Sequence, residues 1–334
     1  MRQSIVLWLM LLVGLHASVL AQETEKVREN AFLVQKEIAV WRTDKAGFGK
    51  TQVYSCQAVR LAPGWFLTAA HCVYNACRDS LPCTVQINLA EDGELRQTVR
   101  INHSTTAKNV FIYEGFFPGQ NRISSVDVAL IKLDDSARYF YQAWNEKTQS
   151  WESISQAQFD KAGKYSPEIN AQLNSMGPLL VGAANLPTAK FLPTPVVPRL
   201  DEGTLTYLVA PSSEVFFVKE LQHFISPGFG VQRGNSGGGV FTAHGELVGL
   251  VSSLLYGQDG SASFRDDEGK TVLTLKNARD YFLFTGFNGS TLNFIRNHVP
   301  DLRVVGAENG FIEPTDKDFN AMIKSINRSF MALE

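Results

Sequence analysis

The chain has no block of like charge: 31 basic residues face 33 acidic ones across 334 positions, a formal net charge of −2. A dominant basic surface is therefore excluded, and nucleic acid is not an expected partner. Cysteine is scarce, with Cys56, Cys72, Cys77 and Cys83 confined to one stretch and none elsewhere. These four lack the paired C-x-x-C knuckles of common structural zinc sites, so a site combining His71 with three thiolates is the weaker reading. Internal repeats and low-complexity tracts are lacking. So are long hydrophobic runs, apart from Ile5 to Leu15, which follows Arg2 and leads to Val19-Leu20-Ala21 and then the polar Gln22 to Lys26. That run is short for a membrane span and has the order of a secretory leader. We expect residues 1–21 to be a cleaved signal peptide, with a secreted or periplasmic mature chain that has no membrane association. An uncleaved N-terminal anchor is the alternative. With no cysteine near the cleavage point, no lipid-anchored product is expected.

In an oxidising compartment the four cysteines read as disulfides. Three pairings are formally possible; the expected one joins Cys56 to Cys72, each flanking a strand-like segment, and Cys77 to Cys83 as a local staple. The remaining length suits one large all-β unit or two domains of about 100–200 residues each.

Short β-rich runs broken by turn residues fill residues 30 to 135, among them Gln52 to Leu61, Trp65 to Ala69, Thr84 to Leu89 and Val126 to Leu133. Ala62-Pro63-Gly64 has hairpin chemistry. The texture turns polar and aromatic over 139–200 and ends in the proline-rich Pro187, Pro193, Pro195 and Pro198, which predicts an irregular connection, partly helical. Strand-like runs resume at Leu205 to Ala210, Val215 to Val218, Gly239 to Phe241, Glu246 to Leu255 and Val272 to Leu275. Ser290-Thr291 followed by Leu292, Phe294, Ile295 and Val299 predicts a capped amphipathic helix stopped by Pro300. Thr315 to Ala332 is also helix-compatible. The expected organisation is a leader over 1–21, a β unit over 22–138, a connection over 139–200, a second β unit with its helix over 201–300, and an extension over 301–334.

Three segments carry chemistry. Gly234-Asn235-Ser236-Gly237-Gly238 sets a serine among glycines, where a tight turn points backbone N–H groups at one spot and stabilises a developing oxyanion; Gly234 and Ser236 are the expected donors. Taken alone, it also reads as a flexible glycine turn. Leu67-Thr68-Ala69-Ala70-His71-Cys72 ends an apolar strand in a histidine with small neighbours, suited to a general base. Val126-Asp127-Val128-Ala129-Leu130-Ile131 starts an apolar strand with an acid that orients such a histidine.

Together, in the order His, Asp, Ser, these segments resemble the trypsin and chymotrypsin family of serine proteases. Cys56 and Cys72 match the disulfide that brackets the histidine strand in that family. The resemblance runs from Val34 to Val299. It implies an all-β chain with two six-stranded antiparallel β-barrels, an active site between them and a closing C-terminal helix. It also implies a triad of His71, Asp127 and Ser236 that hydrolyses peptide bonds through an acyl-enzyme, with a peptide or protein as substrate and no cofactor. Gly249-Leu250-Val251-Ser252-Ser253-Leu254 resembles the strand that pairs with substrate, so Ser252, Ser253 and Leu254 are expected substrate-binding residues.

Two features depart from the animal members. Asn235 stands where they carry an aspartate, and there is no Ile-Val-Gly-Gly start, so activation by an inserted charged terminus is not expected. Asn235 resembles bacterial branches such as the glutamyl endopeptidases and periplasmic heat-shock proteases; the PDZ domain usual in the latter is not expected here. The pocket-floor position falls near Gly230, which offers no carboxylate, although Asp259, Asp266 and Asp267 occupy a later loop. The histidine that glutamyl endopeptidases carry in the substrate strand is replaced by Ser252 and Ser253. A small or apolar pocket is the expectation.

Overall fold

A computed structural model describes residues 35–43, 50–77, 82–91, 94–104, 107–116, 126–162, 179–182, 196–201, 204–209, 216–218, 223–227, 231, 234–242, 245–254, 261–265, 271–275 and 281–305. The expected leader, Gly230, Asp259, Asp266, Asp267 and the expected helix at 315–332 lie outside the described residues.

Seven strands make the antiparallel body of the first sheet: β1 (Gln35–Thr43), β2 (Lys50–Ala62), β3 (Trp65–Thr68), β4 (Cys83–Glu91), β5 (Leu95–His103), β6 (Val110–Ile112) and β7 (Ala129–Lys132). Their order is β6-β7-β3-β2-β1-β4-β5. The apolar runs of β2, β3 and β7 have a direct cause, because both faces of these strands are buried and side chains alternate between faces. Ala58, Phe66, Ala129 and Ile131 join Ile38, Val40, Ile87 and Ile101 in the core of the first sheet. Val59, Leu67, Val128 and Leu130 belong to a second core with Phe241, Leu247, Leu250, Leu292 and Ile295. That second core joins the two halves of the molecule and positions whatever lies at the start of β7.

The sequence boundary at residue 138 falls inside a strand. β8 (Arg138–Asn145) pairs along β5, with Thr98 opposite Phe140, and β9 (Ser150–Ile154) completes a hairpin that extends the sheet to nine strands. Helix α2 (Gln156–Ala162) packs on it through Phe159 and Tyr141, ring centroids 5.2 Å apart. The first part of the expected irregular connection is thus regular. Its pattern is masked because cross-strand aromatics stand in for aliphatic residues: Trp144 meets Trp151 at 5.4 Å, with the Arg96 guanidinium 4.1 Å above Trp151 and that of Arg100 4.4 Å above Phe140.

The second sheet is built from β11 (Val196–Asp201), β12 (Thr204–Val209), β13 (Phe216–Val218), β14 (His223–Pro227), β15 (Gly239–Phe241), β16 (Leu247–Leu254) and β19 (Tyr281–Gly286), in the order β12-β11-β15-β16-β19-β14-β13. β10 (Leu180–Gly182) pairs in parallel with β16 and with β20 (Arg303–Val305), while β17 (Ala262–Arg265) and β18 (Thr271–Leu275) form a separate hairpin. The N-cap of helix α3 (Gly289–His298) lies two residues before the expected Ser290. Asn288 takes that role, its side-chain oxygen accepting the Thr291 N–H at 2.9 Å, and the helix ends at Val299, before Pro300. Two β units of this topology with a short C-terminal helix form the two-barrel all-β architecture of the chymotrypsin type.

Both expected disulfides are present. Cys56–Cys72 ties β2 to helix α1 (Ala70–Cys77), and Cys77–Cys83 ties the end of α1 to β4. Removing the first as the double serine variant is expected to cost about 3 kcal/mol, since it releases a loop 16 residues long. The midpoint of urea unfolding measures the change.

Candidate active site

His71 sits in the first turn of α1, not at the end of a strand, because the chain turns into helix at Ala70 directly after β3. Ala69 and Ala70 are fully buried, and their small side chains let this turn pack against the sheet. Asp127 lies just before β7, which is antiparallel to β3, so the register of that pair brings its carboxylate to the helix start. The carboxylate is 2 % exposed and the imidazole 33 %.

Three donors converge on Asp127. Oδ1 accepts the His71 backbone N–H at 2.9 Å; Oδ2 accepts His71 Nδ1–H at 2.6 Å and the Ser252 hydroxyl at 2.5 Å. Burial of Asp127 favours its neutral acid, but the charge of His71 and these hydrogen bonds outweigh it and hold the carboxyl below its ordinary 3.8. Burial likewise pushes His71 down, and the charge and hydrogen bond of Asp127 outweigh that, leaving the imidazole above its ordinary 6.5. With Nδ1–H given to Asp127, the neutral ring carries its lone pair on Nε2.

Ser236 lies in the glycine turn, where Gly234 and Gly237 take φ values of 97° and 84°. The two glycines are required for different reasons. A Cβ on Gly234 meets nothing nearer than the Ser55 carbonyl at 4.0 Å, so only its backbone conformation excludes other residues. A Cβ on Gly237 would overlap the Gln57 carbonyl oxygen and Thr68 Oγ1. Gly237→Ala is therefore expected to destabilise the protein by about 3 kcal/mol or more, from overlap with backbone plus left-handed strain. Denaturant unfolding reads that loss.

The turn is held from both sides. The Ser236 carbonyl accepts the Gln57 N–H at 2.7 Å, the Gly237 N–H donates to Val251 and the Val251 N–H returns to Gly238. Thr68 Oγ1 donates to the Gln57 carbonyl at 2.7 Å, and the Gly239 N–H donates to Gln35 Oε1 at 3.1 Å. The Ser236 hydroxyl donates to the Ser252 carbonyl at 3.3 Å, and His71 Nε2 lies 3.7 Å from Cys72 Sγ. The structure thus joins His71 to Asp127 directly, and Ser236 to the same cluster through Ser252.

Ser252 has a second place in the cluster beyond the expected one. It belongs to the strand singled out in the sequence, but its hydroxyl is buried on Asp127 and only its carbonyl faces Ser236. Ser253 and the Leu254 backbone pair with Leu283 and Phe282 of β19. Cys56 and Cys72 share a disulfide beside His71, so the grouping of these three residues offers no thiolates to a metal. Sequence reasoning missed Thr285 and His223, which reach the cluster from β19 and β14 and carry no local motif.

Residues 37–167 match the family model described as Trypsin. That span contains His71 and Asp127; Ser236 lies beyond it. No curated protein shows significant similarity to the sequence. Over residues 37–167 the chain is similar to the trypsin family of serine proteases, and the all-β two-barrel fold is consistent with that similarity.

Proposed function

We propose that the protein is an exported serine endopeptidase of the bacterial type marked by Asn235, with Ser236 as nucleophile, His71 as base and Asp127 as the group that orients His71. The observation that carries this reading is the buried Asp127 carboxylate holding His71 Nδ1–H at 2.6 Å, beside a serine framed by left-handed glycines. Rotation of the Ser236 hydroxyl from the Ser252 carbonyl to His71 Nε2 gives the reactive pair, a tightening common when substrate binds. Ser236 Oγ then attacks the peptide carbonyl carbon as His71 takes its proton. Negative charge on the carbonyl oxygen faces the N–H groups of Gly234 and Ser236. His71 returns the proton to the leaving amine, and water, activated by the same nitrogen, releases the acid and restores Ser236.

The Ser252–Leu254 stretch of β16 is the proposed substrate-pairing segment. Among the described residues its partner β15 pairs as far as Leu250, the nucleophile turn bonds Val251, and the Ser252 carbonyl faces Ser236. The leader-like residues 1–21 and the two disulfides support a secreted or periplasmic location.

A fluorophosphonate probe tests the reading. Covalent labelling of Ser236, identified by mass spectrometry and lost in Ser236→Ala, supports it. A folded protein that does not label favours a non-catalytic peptide-binding cleft, the reading that the Ser236 hydroxyl turned toward Ser252 would then describe. Matched amide and ester substrates separate a peptidase from an esterase.

The pH dependence has a defined sign. Catalysis needs neutral His71, whose pKa is held above 6.5, so the acid limb of kcat/KM is expected to have its midpoint above pH 6.5. A pH–rate profile with a midpoint below that value contradicts the Asp127–His71 pairing.

A further inference from the structure

Strand β14 brings a histidine to the far side of Asp127. His223 is fully buried, and its Nε2 lies 3.2 Å from Ser252 Oγ and 3.1 Å from Thr285 Oγ1. Three neighbouring strands make this meeting. β14 and β19 are in register at Phe224 and Phe284, whose rings stack at 4.9 Å, and just past the end of that ladder His223 Nε2 reaches Thr285 Oγ1. β16 and β19 shift register between Val251 and Ser253, so Ser252 is the extra residue of a bulge, a device that redirects a side chain.

The proton arrangement follows from counting donors. Ser252 has one hydroxyl proton, and it goes to Asp127 Oδ2. Its remaining contact, with His223 Nε2, is a hydrogen bond only if Nε2 carries a proton. Thr285 Oγ1 already accepts the Asp127 N–H at 3.4 Å, and the same Nε2–H serves its other lone pair. With Nε2 protonated, both contacts of His223 are hydrogen bonds: Nε2–H donates toward Ser252 and Thr285, and Ser252 donates toward Asp127. Hydrogen bonds in such a chain polarise one another in a low-dielectric interior.

We propose that His223 is a positioning residue for the site, holding the Ser252 hydroxyl so that its O–H stays directed at the Asp127 carboxylate. It touches no reacting atom and acts through Ser252. The titratable groups along this chain of contacts are His223, Asp127 and His71. When the Ser252 donation weakens, Asp127 directs more of its charge to His71, the imidazolium is better stabilised, and the His71 pKa rises. The proposal rests on the serine-hydrolase reading for its kinetic consequence but not for its electrostatic one.

Two variants test it. Gln places an amide N–H near the position of Nε2, whereas Met has similar bulk and no donor. In protein labelled with 15N-histidine, NMR titration of His71 is expected to show a midpoint raised by roughly half a pH unit in His223→Met and unchanged in His223→Gln. On a peptide substrate at pH below the His71 midpoint, His223→Met is expected to lower kcat by up to about threefold with KM unchanged, because fewer His71 rings are neutral, and His223→Gln to retain the wild-type value. Should the methionine variant not fold, His223→Asn replaces it, because its amide is one methylene too short to reach Ser252 and predicts the same raised midpoint. An unchanged His71 midpoint in the donor-free variant overturns the proposal. So does an equal displacement in Gln and Met, which marks a purely structural histidine. The NMR arm needs no turnover, so if the wild type hydrolyses nothing while the midpoint moves as stated, the functional reading fails and the positioning role stands.

Discussion

Ser236→Ala is expected to lower kcat on a peptide substrate by a factor on the order of 10⁶ while leaving the fold intact. The two parts of that expectation have separate causes. Loss of Oγ removes the only atom of this side chain able to form the acyl-enzyme, so the drop reflects chemistry rather than binding. KM is expected to stay near its starting value, since substrate would be held by the Ser252–Leu254 stretch of β16. Among the described residues the hydroxyl bonds the Ser252 carbonyl at 3.3 Å, and losing that bond costs about 1 kcal/mol of stability. Single-turnover kinetics and an unfolding curve on one preparation measure both. A variant that keeps its turnover places the nucleophile elsewhere; one that unfolds reveals a structural task for the side chain.

The next largest effect is expected from Asp127→Asn, a loss of about 10⁴-fold in kcat. The amide has the size of the carboxylate but presents an N–H toward His71, so the imidazole moves its proton to Nε2 and loses the lone pair that serves as base. At least one of the three donors that converge on Asp127 then faces an N–H, and the buried mismatch costs about 1–3 kcal/mol of stability. Because the folded carboxyl sits below its ordinary 3.8, the stability it contributes is present above that pH and is lost as pH falls through the folded value. Wild type and variant should therefore converge in stability at strongly acid pH. Unfolding free energies measured at neutral pH and below pH 3 check the sign. A constant difference between the two proteins across that range would mean the carboxylate does not owe its stabilising effect to being ionised.

The three side chains proposed to react could be picked out in the sequence because each sits in a local pattern with a local cause. Val128-Ala129-Leu130-Ile131 is an unbroken apolar run since alternate residues enter two different cores, and that double burial also keeps Asp127 dry at its start. The Gly-Asn-Ser-Gly-Gly turn is readable because left-handed φ at Gly234 and Gly237 admits little else. Cysteine spacing pointed to the pairing that the structure contains. The β8–β9 hairpin was not legible. Its aromatic residues, Phe140 and Trp151, are stacked by Arg100 and Arg96, which lie on β5, far from them in sequence.

Residue types in short windows were enough to mark most of the strands flanking the site, the side chains proposed to carry the chemistry and the cysteines that join, because strand alternation, glycine conformation and short-loop closure act over a few positions. Which groups surround the buried carboxylate was set by packing. The 125 residues between Asp127 and Ser252, and the 158 between Asp127 and Thr285, are crossed only when strands of the second sheet pair in register and one bulge turns Ser252 inward. Hydrogen bonds of that kind have no periodicity to read. They exist because a polar group sealed from water must find its partner wherever the fold has placed one.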